Sequence, residues 1–496
     1  MTSVKMCKIT TPRTILTWGI PLIIIASYSL LTVQADLSLA IPILVGVTAC
    51  VILLLAVTLY AGEKMAINWS PGIVIIIAAT LRLLFLFRQP ELSDDIYRYV
   101  FDGLQSLMGH NPYAMAPADI AQETEELAYL VLNVNHSHLV TIYPPAAQLI
   151  FAMGTALGGG VLGFKALLVT MDLATCVMIL RLLSFLGLPP WRAAIYAWHP
   201  LPVLEIAASG HIDGACILFL LLTLLLLVSQ PSFSFSKSQL TTTRHSGGMR
   251  LKRTVLHLFA GLTFTCAVFV KLIPLILLPG FLFIFRVRGR ALFFMGILVG
   301  ATLLTLPFLP DVRNMLDTLS IYVQNWEFAG FGYRTLRRVT SSGDVARYLL
   351  ASGFIISMTF LYVGLYRKMW KSPCKDDKRR RFQSSGLDPS PKNTTREAFF
   401  PVIKTLYSII MAYLLLTPAL HPWYALYLVC LLPFVPGPAG LALSWSVFLS
   451  YQVLIPYNIL GEWVENDVTS FMIWVAPVTA FLLMKYVRTA IRRKQV

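Results

Sequence analysis

Long apolar runs separated by short polar seams set the pattern of the chain. A bilayer core of ~30 Å takes about 20 apolar residues per helix. Runs of that kind recur at roughly 14–34, 39–61, 71–88, 165–186, 190–208, 212–229, 254–270, 272–286, 291–309, 345–369, 401–418, 422–436, 438–457 and 469–487. They predict about 14 membrane helices, or about 12–14 because several runs are short or touch end to end. The runs do not alternate, as the strands of a β-barrel would. Backbone groups in lipid must be satisfied within each segment, so the spans are helices. The stretch 146–158 is shorter. It reads as a re-entrant or surface-lying helix, with a tilted span as the alternative.

Composition agrees. Of 496 residues, 57% are hydrophobic and 13% charged, and the mean hydropathy is +0.71. Soluble domains carry about 25% charged residues, so a water-soluble enzyme, a disordered chain and a disulfide scaffold are excluded. The seven cysteines show no CxxC or metal spacing. No internal repeat is visible, and the first apolar run reads as a retained helix rather than a cleaved signal.

The net charge of +16 is unevenly spread. Lys5, Lys8 and Arg13, the segment 230–253, Arg286 to Arg290, the stretch 370–400 with Lys378 to Arg381, and the C-terminal Arg492, Arg493 and Lys494 fall on one side of the alternating spans. By the positive-inside bias that side is the cytoplasm. The opposite side carries segment 89–144, with eight acids (Glu91, Asp94, Asp95, Asp102, Asp119, Glu123, Glu125, Glu126) against one base, Arg98. With the helix after it, this external region runs over 89–164.

Its densest part is Leu92-Ser93-Asp94-Asp95-Ile96-Tyr97-Arg98-Tyr99. Ser93 is placed to cap a helix with Asp94 and Asp95 in its first turn. Ile96, Tyr99, Val100 and Gly103 share one face of that helix, and Asp95, Arg98 and Asp102 another. Such a helix is expected at the membrane surface, its aromatic residues at headgroup depth. Paired carboxylates at this boundary suit general-base chemistry, because each raises the other's pKa. The bland alternative is a solvated helix cap.

Four further polar clusters fall at the same face. Glu205, His211 and Asp213 follow Trp198-His199-Pro200, and intramembrane acids mark a site by default. Lys271 has no acid nearby in sequence; a lipid phosphate suits it, and ordinary headgroups are the alternative. The external segment 310–344 holds Tyr333, Arg334, Arg337 and Arg338, available to an anionic headgroup or to the acidic loop. His421 precedes Pro422-Trp423-Tyr424.

The segment Ser93 to Tyr99, with Asn111-Pro112-Tyr113 and Tyr143-Pro144-Pro145, resembles the first external loop of the GT-C class of integral-membrane glycosyltransferases. It is most similar to bacterial polyprenol-phosphate-mannose-dependent mannosyltransferases and more distantly to the GPI mannosyltransferase I catalytic subunit. Trp198 to Asp213 fits their Asn-Pro-Leu and Gly-His-x-Asp region, with His199-Pro200-Leu201 where Asn-Pro-Leu is commoner. Lys271 to Pro274 and His421 to Tyr424 also fit, so the likeness runs over roughly 75–430.

The resemblance implies a single all-α domain over 1–496 with a GT-C-like bundle. It also implies an inverting transfer of a hexose, mannose by preference, from a polyprenyl-phosphate donor to a hydroxyl of a glycan or glycolipid. Asp94 or Asp95 would be the base. Lys271, with Arg334, Arg337 or Arg338, would face the leaving phosphate. Arg98, Tyr97, His211, Asp213, Tyr333 and His421 would position substrates. No cofactor is required, although the Asp94/Asp95 pair has the donors for Mg2+ or Mn2+. The membrane would be the cytoplasmic membrane of a bacterium with the site on its periplasmic side, and no nucleic acid is involved. A transporter or lipid flippase for envelope glycolipids, and a non-catalytic scaffold, are the rival readings. Flippases place charges near the midplane in two related halves, which this chain does not show.

Overall fold

A computed structural model describes residues 12–65, 67–120, 124–229, 247–284, 287–309, 311–370 and 391–494. Glu123 and most of the basic stretches used to orient the chain lie outside the described residues. The first helices are α1 (Pro12–Thr32), α2 (Ile41–Lys64), α3 (Pro71–Leu86), α4 (Asp95–Leu107), α5 (Glu125–Asn133), α6 (Pro145–Ala156) and α7 (Val161–Phe185). Among the described residues there is no strand beyond isolated bridges of Ala419 to Phe328 and Ala329.

Among the described residues, eight helices are long and apolar enough to cross a membrane. They are Ile15–Thr32, Ile41–Lys64, Val161–Phe185, Gly289–Phe308, Gly343–Met369, Phe399–Leu416, Pro438–Leu460 and Asp467–Val487. A ninth arises if Pro202–Ala208 and α8 (Asp213–Val228), bent by 120°, form one broken span. Pro71–Leu86, Thr254–Val270 and Ile273–Leu282 are shorter apolar helices. This is an all-helical polytopic membrane protein.

Of the predicted runs, 71–88, 254–270 and 272–286 form the shorter helices and 212–229 reaches span length only with its bent partner; two more, 190–208 and 422–436, are not single helices. The run 190–208 breaks into short pieces that end in a π-helix at Pro202–Ala208. The run 422–436 is no span: it holds a 3-10 turn (Pro422–Ala425) and a four-residue helix (Leu426–Val429). Its residues from Ala425 to Leu432 are almost wholly buried. Hydropathy does not distinguish burial in protein from burial in lipid.

The site is positioned from α3. Ser70 caps this helix, accepting from the Ile73 N–H at 3.4 Å, and Pro71 opens it. Val74, Ile77, Ala78, Leu81 and Phe85 form its buried stripe. Arg82 on the same stripe pairs with Asp172 of α7 at 2.6 Å and donates to the Ala197 carbonyl at 2.6 Å. A charge in this setting needs such partners. Lys165 of α7 donates to the Phe85 and Arg88 carbonyls at 2.9 and 2.6 Å, capping the end of α3. Arg88 grips the Thr32 and Gln34 carbonyls and pairs with Glu91 at 2.7 Å. The chain therefore leaves α3 along a fixed path into Asp94.

The apolar face of helix α4 packs on protein. Ile96, Tyr99, Val100 and Phe101 are all buried, and Tyr99 stacks on Phe151 of α6 with ring centroids 4.6 Å apart. A Cβ added to Gly103 would stand 2.4 Å from the Phe151 carbonyl oxygen. This glycine lets the α4 and α6 backbones touch. Helix α6 has 12 residues, about 18 Å of helix. That is too short to span, as expected for a re-entrant or surface-lying element.

Candidate active site

Segments far apart in sequence meet around a cavity of about 980 Å3. Asp94, Asp95 and Arg98 line it from α4, and Asn135, His136 and Tyr143 from the loop before α6. Lys271, Tyr322, Trp326, His421, Trp423 and Tyr424 come from later boundaries. Tyr451, Leu454, Tyr457 and Trp463 complete an apolar and aromatic wall.

The two acids have different surroundings. Asp94 sits at the N-cap position of α4 without capping it through its side chain; the Asp95 N–H goes to the Ser93 hydroxyl at 3.3 Å. The Asp94 carboxylate accepts instead from the Asn135 side-chain amide. Burial, and then the charge of Asp95, push the Asp94 carboxyl up to about 6. Asp95 faces inward. Its Oδ2 accepts from the Tyr99 and Tyr143 hydroxyls at 3.4 and 3.5 Å and lies 3.7 Å from His211 Nδ1. Burial raises the Asp95 carboxyl, while Lys271 pulls it down. Asp102 on the next turns is buried and pushed to about 6 for the same reason, with Arg98 opposing.

Arg98 does not touch either acid by a hydrogen bond. It donates to the Leu139, Asn135 and His136 carbonyls at 3.0 to 3.2 Å. It thereby clamps the loop that presents Asn135 to Asp94. The guanidinium fork suits three carbonyls in an arc.

Lys271 finds the partner that its sequence neighbourhood lacks. Its Nζ pairs with Asp213 Oδ2 at 2.7 Å and stands 4.9 Å over the Tyr424 ring. Asp213 is fully buried behind it. His211 is also fully buried and is not part of the cavity wall. Its ring stacks on Trp423 at 3.9 Å; Trp423 stacks on His421 at 4.4 Å, and His421 on Phe328 at 4.8 Å. The Phe328 segment is tied to the same strap by Phe328 N–H to Pro418 O and Leu420 N–H to Phe328 O, at 3.1 and 2.7 Å.

The remaining sequence candidates lie elsewhere. Tyr97 packs edge-on to Tyr129 and does not line the cavity. Tyr333 is buried and accepts from Arg347 at 2.7 Å. Arg334 pairs with Glu465 and Asp467 at 3.3 and 2.7 Å; Arg337 pairs with Glu327 at 2.6 Å, and Arg338 with Asp467. These arginines satisfy the acids of the late loops, not the acidic loop, and are absent from the cavity wall. Sequence reasoning missed Asn135, His136, Tyr143, Tyr322, Tyr451 and Trp463 as lining residues. Only Tyr143, in Tyr-Pro-Pro, carried a local signal. Among the described residues, no group of three or more His, Cys, Asp and Glu side chains is placed to hold a metal ion.

Gly210 holds the acid helix against the His211 turn. Its φ is +77°, and an added Cβ would stand 2.3 Å from Ile96 Cδ1. Left-handed backbone costs an L-residue about 1–2 kcal/mol, and Ile96 must also move. Gly210→Ala is expected to lower the melting midpoint in detergent and to cut activity at least tenfold. A variant as stable and active as the parent would contradict this packing.

Membrane-length helices around a chamber with two carboxylates, a lysine and an aromatic wall define a multi-pass membrane protein with a polar site. The chain belongs to the MptA_B family: the family model, described as alpha-(1->6)-mannopyranosyltransferase, N-terminal domain, matches residues 24–287, more than half of the chain. No curated protein and no solved structure matched it. The matched stretch includes Asp94, Asp95, His211, Asp213 and Lys271 and stops short of His421. The chain is thus a membrane mannosyltransferase that takes a sugar donor and a glycan acceptor.

Proposed function

We propose that the protein moves mannose from a polyprenyl-phosphate carrier to a hydroxyl of a glycan or glycolipid. The reaction takes place at the external face of a bacterial cytoplasmic membrane and inverts the anomeric carbon. The observation that carries this reading is the shared chamber. Asp94, Asp95 and Lys271 line one cavity that Leu454, Tyr457 and Trp463 also line, an apolar and aromatic stretch suited to an isoprenoid. The linkage named for the family, alpha-(1->6), is the product we assign, which with inversion requires a β-linked donor.

Asp95 is the base in this scheme. It takes the proton of the acceptor hydroxyl while that oxygen bonds to C1 of mannose. The C1–O bond to phosphate breaks, and its electron pair leaves on the phosphate oxygen facing Lys271. Asp94, held by Asn135, accepts a neighbouring acceptor hydroxyl and orients it. Trp423, Tyr424 and His421 wall the sugar. No step is routed through a metal. Equal rates in EDTA and in Mg2+ or Mn2+ are expected, and dependence on added metal would move the Asp94/Asp95 pair to a metal-holding role.

The test is transfer by purified protein with a panel of synthetic polyprenyl-phosphate sugars, scoring donor consumed and product formed. Consumption of the mannose donor alone is expected. Inertness toward all of them, with turnover of a nucleotide sugar, would overturn the reading. Because burial raises both acids, kcat/KM should rise with pH along a limb above the ordinary carboxylate range. A rising limb near 4 would exclude this acid pair as the base.

A further inference from the structure

Behind Asp95 lies a second layer of polar groups that no step above uses. His211 Nδ1 is 3.7 Å from Asp95 Oδ2, and its Nε2 is 3.5 Å from Glu205 Oε2. Glu205 in turn accepts from the Tyr451 hydroxyl at both carboxylate oxygens, 3.0 and 2.9 Å. His211 and Glu205 are fully buried, whereas the Asp95 side chain retains 26% exposure and Tyr451 lines the chamber. The groups facing His211 are Asp95 from α4, Glu205 from the π-helix, Lys271 and His421 from the later boundaries, and the Trp423 face.

The local backbone is unusual where the pair sits. Glu205 lies in the π-helix Pro202–Ala208, a rare form that is frequently found at functional sites. The Gly210 turn follows, and the His211 N–H donates to the Glu205 carbonyl at 2.8 Å. The Trp423 stack fixes the ring plane. A histidine so held, with one nitrogen toward a surface carboxylate and the other toward a buried one, has the relations of an oriented base, in which the buried acid sets the tautomer.

We propose that Glu205 and His211 are positioning residues that tune Asp95 as the base. This rests on the function proposed above. Glu205 takes the O–H of Tyr451, and His211 turns its Nε2 toward Glu205 Oε2 at 3.5 Å. The bare Nδ1 of His211 then faces Asp95. When Asp95 has taken the acceptor proton, its new O–H can turn to the neutral Nδ1, 3.7 Å away, which holds it there. The proton passes from Asp95 to water after the product leaves. No other bond changes and no co-reactant is needed.

The experiment is a pH profile of mannosyl transfer from a synthetic polyprenyl-phosphate mannose by full-length wild type, Glu205→Gln and Tyr451→Phe in detergent, with melting midpoints measured in parallel. Glu205→Gln fixes an amide N–H toward Nε2, which turns the Nδ1–H toward Asp95. That change holds Asp95 ionised and makes it a weaker base. Its kcat should fall at least tenfold with KM within twofold, and the rising limb should move to lower pH by half a unit or more. Tyr451→Phe, which keeps its shape and leaves Glu205 readier to hold a proton, should move the limb in the same direction by less. It carries the test if Glu205→Gln does not accumulate. Wild-type kcat and an unmoved limb in either soluble variant, or losses that follow only the melting midpoint, would overturn the proposal while leaving mannosyl transfer standing. Absence of transfer by the wild type would overturn both.

Discussion

Asp95→Asn is expected to lower mannosyl transfer by on the order of 10²–10⁴-fold in kcat while the protein still folds and inserts. Positioned general bases contribute that range. The amide has nearly the shape of the carboxylate and can keep the Tyr99 and Tyr143 hydroxyls as donors. What it lacks is the capacity to take a proton. Asp94→Asn should lose less, on the order of tenfold, and mostly in KM, because its place beside Asn135 is one of orienting the acceptor. Initial rates against acceptor concentration separate the two. A larger kcat loss in Asp94→Asn would exchange their roles, and full activity in the double variant would remove both from the chemistry.

Lys271→Met separates catalysis from folding. The ammonium faces the chamber and Asp213 stands behind it. Removing a charge-stabilising donor costs about 10²–10³ in kcat. The same change strands a fully buried carboxylate, and breaking a buried pair costs about 3–5 kcal/mol. Lys271 keeps 16% of its side chain exposed, so the stability loss should fall below that range. In Lys271→Met/Asp213→Asn no stranded charge remains. The melting midpoint should recover most of its loss, while transfer stays at the level of Lys271→Met. Recovery of activity in the double variant would show that the lysine serves only Asp213. A stable single variant would show that Asp213 does not depend on it.

The parts of the site that sequence revealed are those written locally. The Ser93-Asp94-Asp95 start of α4 is legible because the acids and the start of the helix lie within a few residues. Gly103 and Tyr99 were read onto one face correctly, but the face was assigned to lipid; it packs on Phe151. Periodicity reports that a stripe is buried without saying against what. The partners of charged groups were not legible. Asp213 lies 58 residues from Lys271, and Arg334 pairs across 131 residues with Glu465. Arg98 was taken for a substrate residue because a lone base among acids invites that role; its carbonyl partners appear only when the loop folds back. Tyr451 lies in an ordinary apolar run, and nothing in that run marks the hydroxyl that reaches Glu205.

The central claim is that this chamber transfers mannose from a lipid phosphate by one inverting displacement with Asp95 as base. NMR of a reaction with polyprenyl-phosphate mannose labelled with 13C at C1, run with wild type and with Asp95→Asn, tests it most directly. The account predicts that the wild type converts the labelled signal to an alpha-linked glycoside from a β-linked donor, and that Asp95→Asn leaves the donor signal unchanged. Retention of configuration, or conversion by Asp95→Asn at the wild-type rate, would contradict it.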